Sequence, residues 1–198
     1  MWKQLGFAGI VLVAALAAGC GPSGPDPFAF KNDVQTNTQV DSDTLDLTFT
    51  DREGNPVELK SYRGKKQVVL VITRGMIAPS SFCSYCSGQT SRLISNYKEF
   101  TKRDAEVLLV IPGPKDKIDE FIKKVRADAG DKAVPFQILF DEDFRAVNRL
   151  GIRAELAKPS TYIIDIEGQV RFAYVGSGIT DRPSIKAMLQ QLDAIPAS

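Results

Sequence analysis

Apolar and polar positions along the chain follow two periods, and each change of period marks an element. Residues 45–50, Leu-Asp-Leu-Thr-Phe-Thr, alternate as a half-buried strand. Asp51-Arg52-Glu53-Gly54-Asn55 has turn chemistry, and Val57-Glu58-Leu59 predicts a short return strand. Residues 67–73 are a nearly unbroken β-branched run, expected of a central strand buried on both faces. A helix is predicted over 87–103, with Leu93, Tyr97 and Phe100 or Ile94 inward, and a second buried strand over 106–111. Ile118, Phe121, Ile122 and Val125 recur at helical spacing until Gly130. Residues 136–140 read as a strand, and Asp141 or Asp143 is placed to cap a short helix that runs to Leu150 and ends at Gly151. Residues 161–166 and 169–175 flank Glu167-Gly168 as a hairpin. A last helix starts near Asp181 and Pro183, with Ile185, Met188, Leu189 and Leu192 inward. This order predicts one α/β domain, a three-layer sandwich with a central mixed sheet and an N-terminal β-hairpin.

The first 43 residues do not share this patterning. Lys3 precedes an uncharged apolar stretch over 7–19, short for a spanning helix and suited to a secretory signal. It ends in Leu16-Ala17-Ala18-Gly19-Cys20, which resembles a bacterial lipoprotein signal, although the leucine lies four residues before the cysteine and not three. The expectation is a signal peptide over 1–19, a lipid anchor on Cys20, and a flexible polar tether over 20–43. The domain over 44–198 is then held at a membrane in the bacterial cell envelope, facing the periplasm or the exterior.

Composition narrows the chemistry. The net charge of +1 and the lack of a basic patch argue against nucleic acid. The chain has no histidine, which excludes histidine-based triads, Cys-His pairs and histidine metal ligands; no metal and no cofactor is expected. Of three cysteines, Cys20 is assigned to the anchor. The other two stand as Phe82-Cys83-Ser84-Tyr85-Cys86, between the 67–73 strand and the following helix. A thiol pair so spaced at a helix start can place both sulfurs within one turn, where free amides stabilise a thiolate. An oxidising compartment makes their disulfide plausible.

The segment Lys158-Pro159-Ser160-Thr161-Tyr162-Ile163-Ile164-Asp165, followed by Glu167-Gly168-Gln169-Val170, resembles the hairpin of the thioredoxin superfamily, in its redoxin or AhpC/TSA branch. The cysteine pair after a strand and the stretch from Asp141 to Gly151 share the resemblance, which runs from about Asp43 to Leu192. It implies a thioredoxin-like fold, a cis peptide bond at Pro159 facing the cysteines, and substrate contacts from Pro159, Lys158, Phe82 and Pro79.

Two activities follow from the resemblance. In an envelope-anchored thiol–disulfide oxidoreductase, Cys83 attacks a disulfide-containing protein and Cys86 resolves the mixed disulfide. In a thiol-dependent peroxidase, the spacing from Pro79 makes Cys86 the peroxide-reactive residue and Cys83 the resolving one. Peroxidases of this kind use an arginine near the hairpin strand; Lys158-Pro159 offers none, leaving Arg74 or Arg153 as sources of charge. Either activity implies a membrane electron donor for re-reduction. Lys115-Asp116-Lys117 reads as a solvated surface, Asp165 as a brace for the hairpin turn, and Ile111-Pro112-Gly113-Pro114 as a strand-end loop near the site.

Overall fold

The structure is a computed structural model that describes residues 28–75 and 83–196. The expected signal peptide and Cys20 anchor, together with Pro79 and Phe82, lie outside the described residues. Seven strands form one sheet: β1 (Thr48–Thr50), β2 (Pro56–Glu58), β3 (Gln67–Ile72), β4 (Ala105–Pro112), β5 (Gln137–Asp141), β6 (Ser160–Ile164) and β7 (Val170–Val175). Among the described residues four helices accompany them: α1 (Ser84–Thr101), α2 (Ile118–Asp128), α3 (Arg145–Arg149) and α4 (Ile185–Asp193). The strand order is β2-β1-β5-β4-β3-β6-β7. β3, β4 and β5 run parallel at the centre, and antiparallel pairs complete both edges, as a mixed sheet with an N-terminal hairpin requires.

Alternation along the central strands divides the core into two layers. Val69, Val71, Val107 and Leu109 face α1, α2 and α4, where they meet Leu93, Phe100, Val125 and Met188. Val68, Leu70, Ile72, Leu108 and Val110 face the opposite side, under α3 and the chain around Leu47 and Leu59. Strands buried on both faces carry no polar alternation, which is why residues 67–73 read as one apolar run. The short α3 depends on its cap: both carboxylate oxygens of Asp141 accept from the main chain, Oδ1 from Ala146 at 3.1 Å and Oδ2 from Val147 at 2.9 Å. Asp165 braces the last hairpin by accepting from the Gln169 amide at 2.7 Å.

The expected tether differs from the structure from Phe28 onward. Phe30 and Val34 are buried, and Asn37 pairs with the exposed edge of β7. Its amide donates to the Ala173 carbonyl at 3.0 Å, and its side chain both accepts from Val175 and donates to it. An edge strand presents unpaired backbone groups, and a polar segment can satisfy them without an apolar pattern of its own. Residues 28–37 therefore belong to the domain.

No helix among the described residues is long and apolar enough to cross a membrane. Leu70 is fully buried in β3. Leu70→Ala is expected to cost about 2–5 kcal/mol, seen as a lower urea midpoint with an unchanged denaturant slope.

Candidate active site

The parallel strands β3 and β4 end at the same edge of the sheet, and the crossover from β3 into α1 brings the cysteines there. After β3 the chain turns at Gly75, whose φ is +90°. A Cβ at Gly75 would stand 2.7 Å from the Pro112 carbonyl oxygen, so this close approach to β4 requires glycine. Cys83 is the N-cap residue of α1, and no side-chain hydrogen bond caps that helix. The first-turn amides of Tyr85 and Cys86 are left facing the Cys83 sulfur. Cys86 lies one turn further on, and both thiols are free and buried.

The inner face of α1 is polar near this end, yet buried. Ser87, Thr90 and Ser91 spend their hydroxyls on carbonyls one turn back, at 3.4, 2.9 and 2.7 Å. Gln89 is not spent this way. Its Oε1 accepts from Arg182 Nη1 at 2.7 Å.

Arg182, in the loop between β7 and α4, is only 1% exposed. Its Nη2 lies 3.2 Å from Cys86 Sγ and 4.0 Å from Cys83 Sγ, and its Nε donates to the Ile179 carbonyl at 2.9 Å. Among the described residues no carboxylate pairs with it. A buried guanidinium needs a counter-charge, and the thiol pair is the group in contact that can supply one. The hydrogen bond from the Cys86 thiol lowers the Cys83 pKa most; against the opposing cost of burial, the Cys86 amide, Arg182 and the Tyr85 amide add to it, and Cys83 falls to about 5. Cys86 moves the other way because it donates to Cys83 and is buried, although Arg182 and the Arg74 amide oppose the rise. The pair thus shares one negative charge, held mainly on Cys83 at the helix start.

Beside the sulfurs lies a small, mostly apolar cavity lined by Thr73, Ile111, Ile118, Phe121 and Phe140, together with Lys115. Lys115 thus reaches the site from the loop before α2, where it pairs with Glu142 at 3.5 Å. No group of three histidine, cysteine or carboxylate side chains able to hold a metal converges among the described residues.

Other expected site residues stand elsewhere. Pro159 is buried beside the end of β3, but its peptide bond is trans, as are all the described bonds. The expected cis bond is therefore absent. The Pro159 carbonyl accepts from the Gly176 amide at 2.8 Å, and the Lys158 amide donates to Ile152 at 2.8 Å, so this segment is tied to its own fold. Lys158 is exposed, and neither residue lines the cavity. Arg74 pairs with Glu155, and Arg153 lies over the Phe144 ring. The charge comes from Arg182 instead. Sequence pattern conceals it, because Asp181-Arg182-Pro183 reads as an ordinary helix entry and burial of a charge is a tertiary fact. Gln89 carried a fainter signal: it follows Cys86 by three positions, on the same helix face.

A thiol pair of split acidity at the strand-to-helix junction of such a sheet defines a thiol-based oxidoreductase. The chain belongs to the AhpC/TSA family, whose model matches residues 40–173. It is 26% identical over 148 residues to the chloroplastic peroxiredoxin Q of Sedum lineare, covering 73% of each chain. It is 28% identical over 131 residues to alkyl hydroperoxide reductase E of Mycobacterium tuberculosis, covering 65% of this chain and 79% of that one. Among solved structures, a cysteine-to-serine mutant of peroxiredoxin 6 from Arenicola marina superposes with a TM-score of 0.67 at 16% identity, covering 79% of this chain and 73% of that one. Peroxidoxin BcpB of Mycobacterium tuberculosis superposes with a TM-score of 0.61 at 21% identity, covering 82% and 98% respectively. These neighbours bear out the thioredoxin-like fold. The family match ends before Arg182.

Alkylation by iodoacetamide is expected to rise with pH through an inflection near 5, because the Cys83 thiolate forms above its pKa and is lost below it. Arg182→Met should move that inflection up by about 1–3 units.

Proposed function

We propose that the chain is a thiol-dependent peroxidase in which Cys83 attacks a hydroperoxide and Cys86 resolves the product. Burial is the observation that carries this choice. Cys83 and Cys86 are each 3% exposed. A protein disulfide must bring its own sulfur into line with the attacking one, and a buried Cys83 offers no surface for that approach. A small hydroperoxide can reach it through the adjoining cavity.

The Cys83 thiolate attacks the outer peroxide oxygen. A sulfur–oxygen bond forms as the oxygen–oxygen bond breaks, and the departing alkoxide or hydroxide takes a proton from water. Nη2 of Arg182, in contact with the Cys86 sulfur and near the Cys83 sulfur, lies where negative charge develops on the oxygens. Cys86 sulfur then displaces the hydroxyl of the Cys83 sulfenic acid, which leaves as water, and a disulfide closes. The pair has given up two electrons, and two external thiols return them by exchange. The names of the relatives, peroxiredoxin Q and alkyl hydroperoxide reductase E, support hydroperoxides as substrates.

The order of attack reverses the one that spacing from Pro79 favours, because the helix amides face Cys83. Thiol–disulfide exchange with a protein substrate is the second reading, supported by the Cys-x-x-Cys spacing itself. We further propose lipidation at Cys20 and an envelope location, supported by the apolar stretch and small residues before that cysteine; a membrane donor would then supply the electrons.

Purified protein, Cys83→Ser and Cys86→Ser should be compared for consumption of hydrogen peroxide and an alkyl hydroperoxide, and for reduction of a protein disulfide. The wild type should turn over hydroperoxide in the presence of a small thiol. Without added thiol, Cys86→Ser should consume one equivalent and stop with a trapped sulfenic acid on Cys83, and Cys83→Ser should be inactive. Preferred reduction of the protein disulfide would reject the peroxidase, and a sulfenic acid on Cys86 in Cys83→Ser would reverse the assigned order.

A further inference from the structure

Arg182 follows Asp181 directly, yet the two side chains do not pair. The Asp181 carboxylate turns away. Oδ1 accepts from Lys31 Nζ at 2.7 Å and from the Tyr174 hydroxyl at 2.6 Å, while Oδ2 accepts from the Ser177 amide and hydroxyl at 3.0 and 2.8 Å. Lys31 also donates to the Tyr174 hydroxyl at 3.1 Å. Burial raises the Asp181 pKa, but the hydrogen bonds from Lys31, Tyr174 and Ser177 outweigh it and keep this carboxyl ionised. It is the acidic side chain nearest in sequence to the buried guanidinium, and Lys31 occupies it.

The main chain of Lys31 grips the same loop. Its amide donates to the Arg182 carbonyl at 2.9 Å, and its carbonyl accepts from the Ser184 amide at 2.8 Å, so both sides of Pro183 are fixed. Asn32 accepts from the Ser184 hydroxyl at 2.7 Å. The preceding aromatic residues seat this segment on α1. The Phe28 ring meets Tyr85 edge-on at 5.4 Å and lies where a Cβ on Gly88 would be 2.7 Å away. Phe30 is buried and stacks beside Phe28. Residues 28–32 thus bridge the helix that carries the cysteines and the loop that carries the arginine.

We propose that Lys31 is a positioning residue for Arg182: it clamps the loop through its main chain and occupies the Asp181 carboxylate, leaving the guanidinium to the two sulfurs. Without the ammonium group, the Asp181 carboxylate, still held by Tyr174 and Ser177, is left without its cationic partner and competes with the thiol pair for the Arg182 charge. The proposal rests on Cys83 and Cys86 being the redox centre. The other charged side chain at the cavity, Lys115, is held by Glu142 and stays unchanged in the variants below.

The test is a pH titration of thiolate ultraviolet absorbance in the reduced full chain. Lys31→Met should raise the low titration midpoint by about one unit. Adding Asp181→Asn to Lys31→Met should return it to near the wild-type value, and Asp181→Asn alone should leave it there. Rescue by removal of a second charge is not expected of a lysine that acts only through packing. Lys31→Gln, which can still donate to the Tyr174 hydroxyl, carries the same comparison if Lys31→Met does not fold. A wild-type midpoint retained in the Lys31 variants would overturn the proposal, as would a raised midpoint that Asp181→Asn does not restore. A wild type with no thiol titrating below the ordinary range would instead overturn the underlying reading of the site.

Discussion

A buried guanidinium with no carboxylate partner among the described residues governs the architecture around the cysteine pair. Arg182 is almost wholly enclosed, and its hydrogen-bond partners among the described residues are one amide oxygen, one carbonyl and two sulfurs. Enclosing a full charge is costly unless it is paired and hydrogen-bonded. One shared negative charge on Cys83 and Cys86 meets that demand, and two fully protonated thiols would not. The amides at the start of α1 decide which sulfur holds most of the charge. Acidity at the site is therefore a joint property of a helix start, a loop entering α4 on the same face of the sheet and the fold that brings them together.

The same constraint links the N-terminal segment to the chemistry. The Arg182 loop leaves β7 at Gly176, where a Cβ would meet the Asp181 carbonyl oxygen. Backbone bonds to Lys31 and the ion pair with Asp181 hold the loop in place. A segment of polar composition thus contributes to a buried electrostatic site, while its own apolar anchoring comes from Phe28, Phe30 and Val34.

The sequence made the frame legible because the frame is periodic. Residues 67–73 read as a buried strand, Asp141 or Asp143 was placed to cap α3, and Asp165 to brace its turn, since each depends on neighbours in sequence. The cysteine pair was legible for the same local reason. Arg182 was not, because partners 93 and 96 positions away confer its role. Residues 28–37 read as a tether because their hydrogen bonds go to an edge strand whose need for partners is invisible in local composition. At Pro159 the family pattern suggested a cis bond, while the trans segment here ties its backbone to Ile152 and Gly176.

A reduced pair that carries one proton and one negative charge has a measurable signature in its redox equilibrium. Reduction of the disulfide then takes up two electrons and one proton, and the reduction potential falls by about 30 mV per pH unit across neutral pH. A pair of ordinary thiols takes up two protons and falls by about 59 mV per pH unit. Equilibration of the protein with a glutathione or dithiothreitol couple at several pH values between about 6 and about 8 measures that slope directly. The shallow slope is the predicted result, and the steep one would contradict a thiolate held by Arg182.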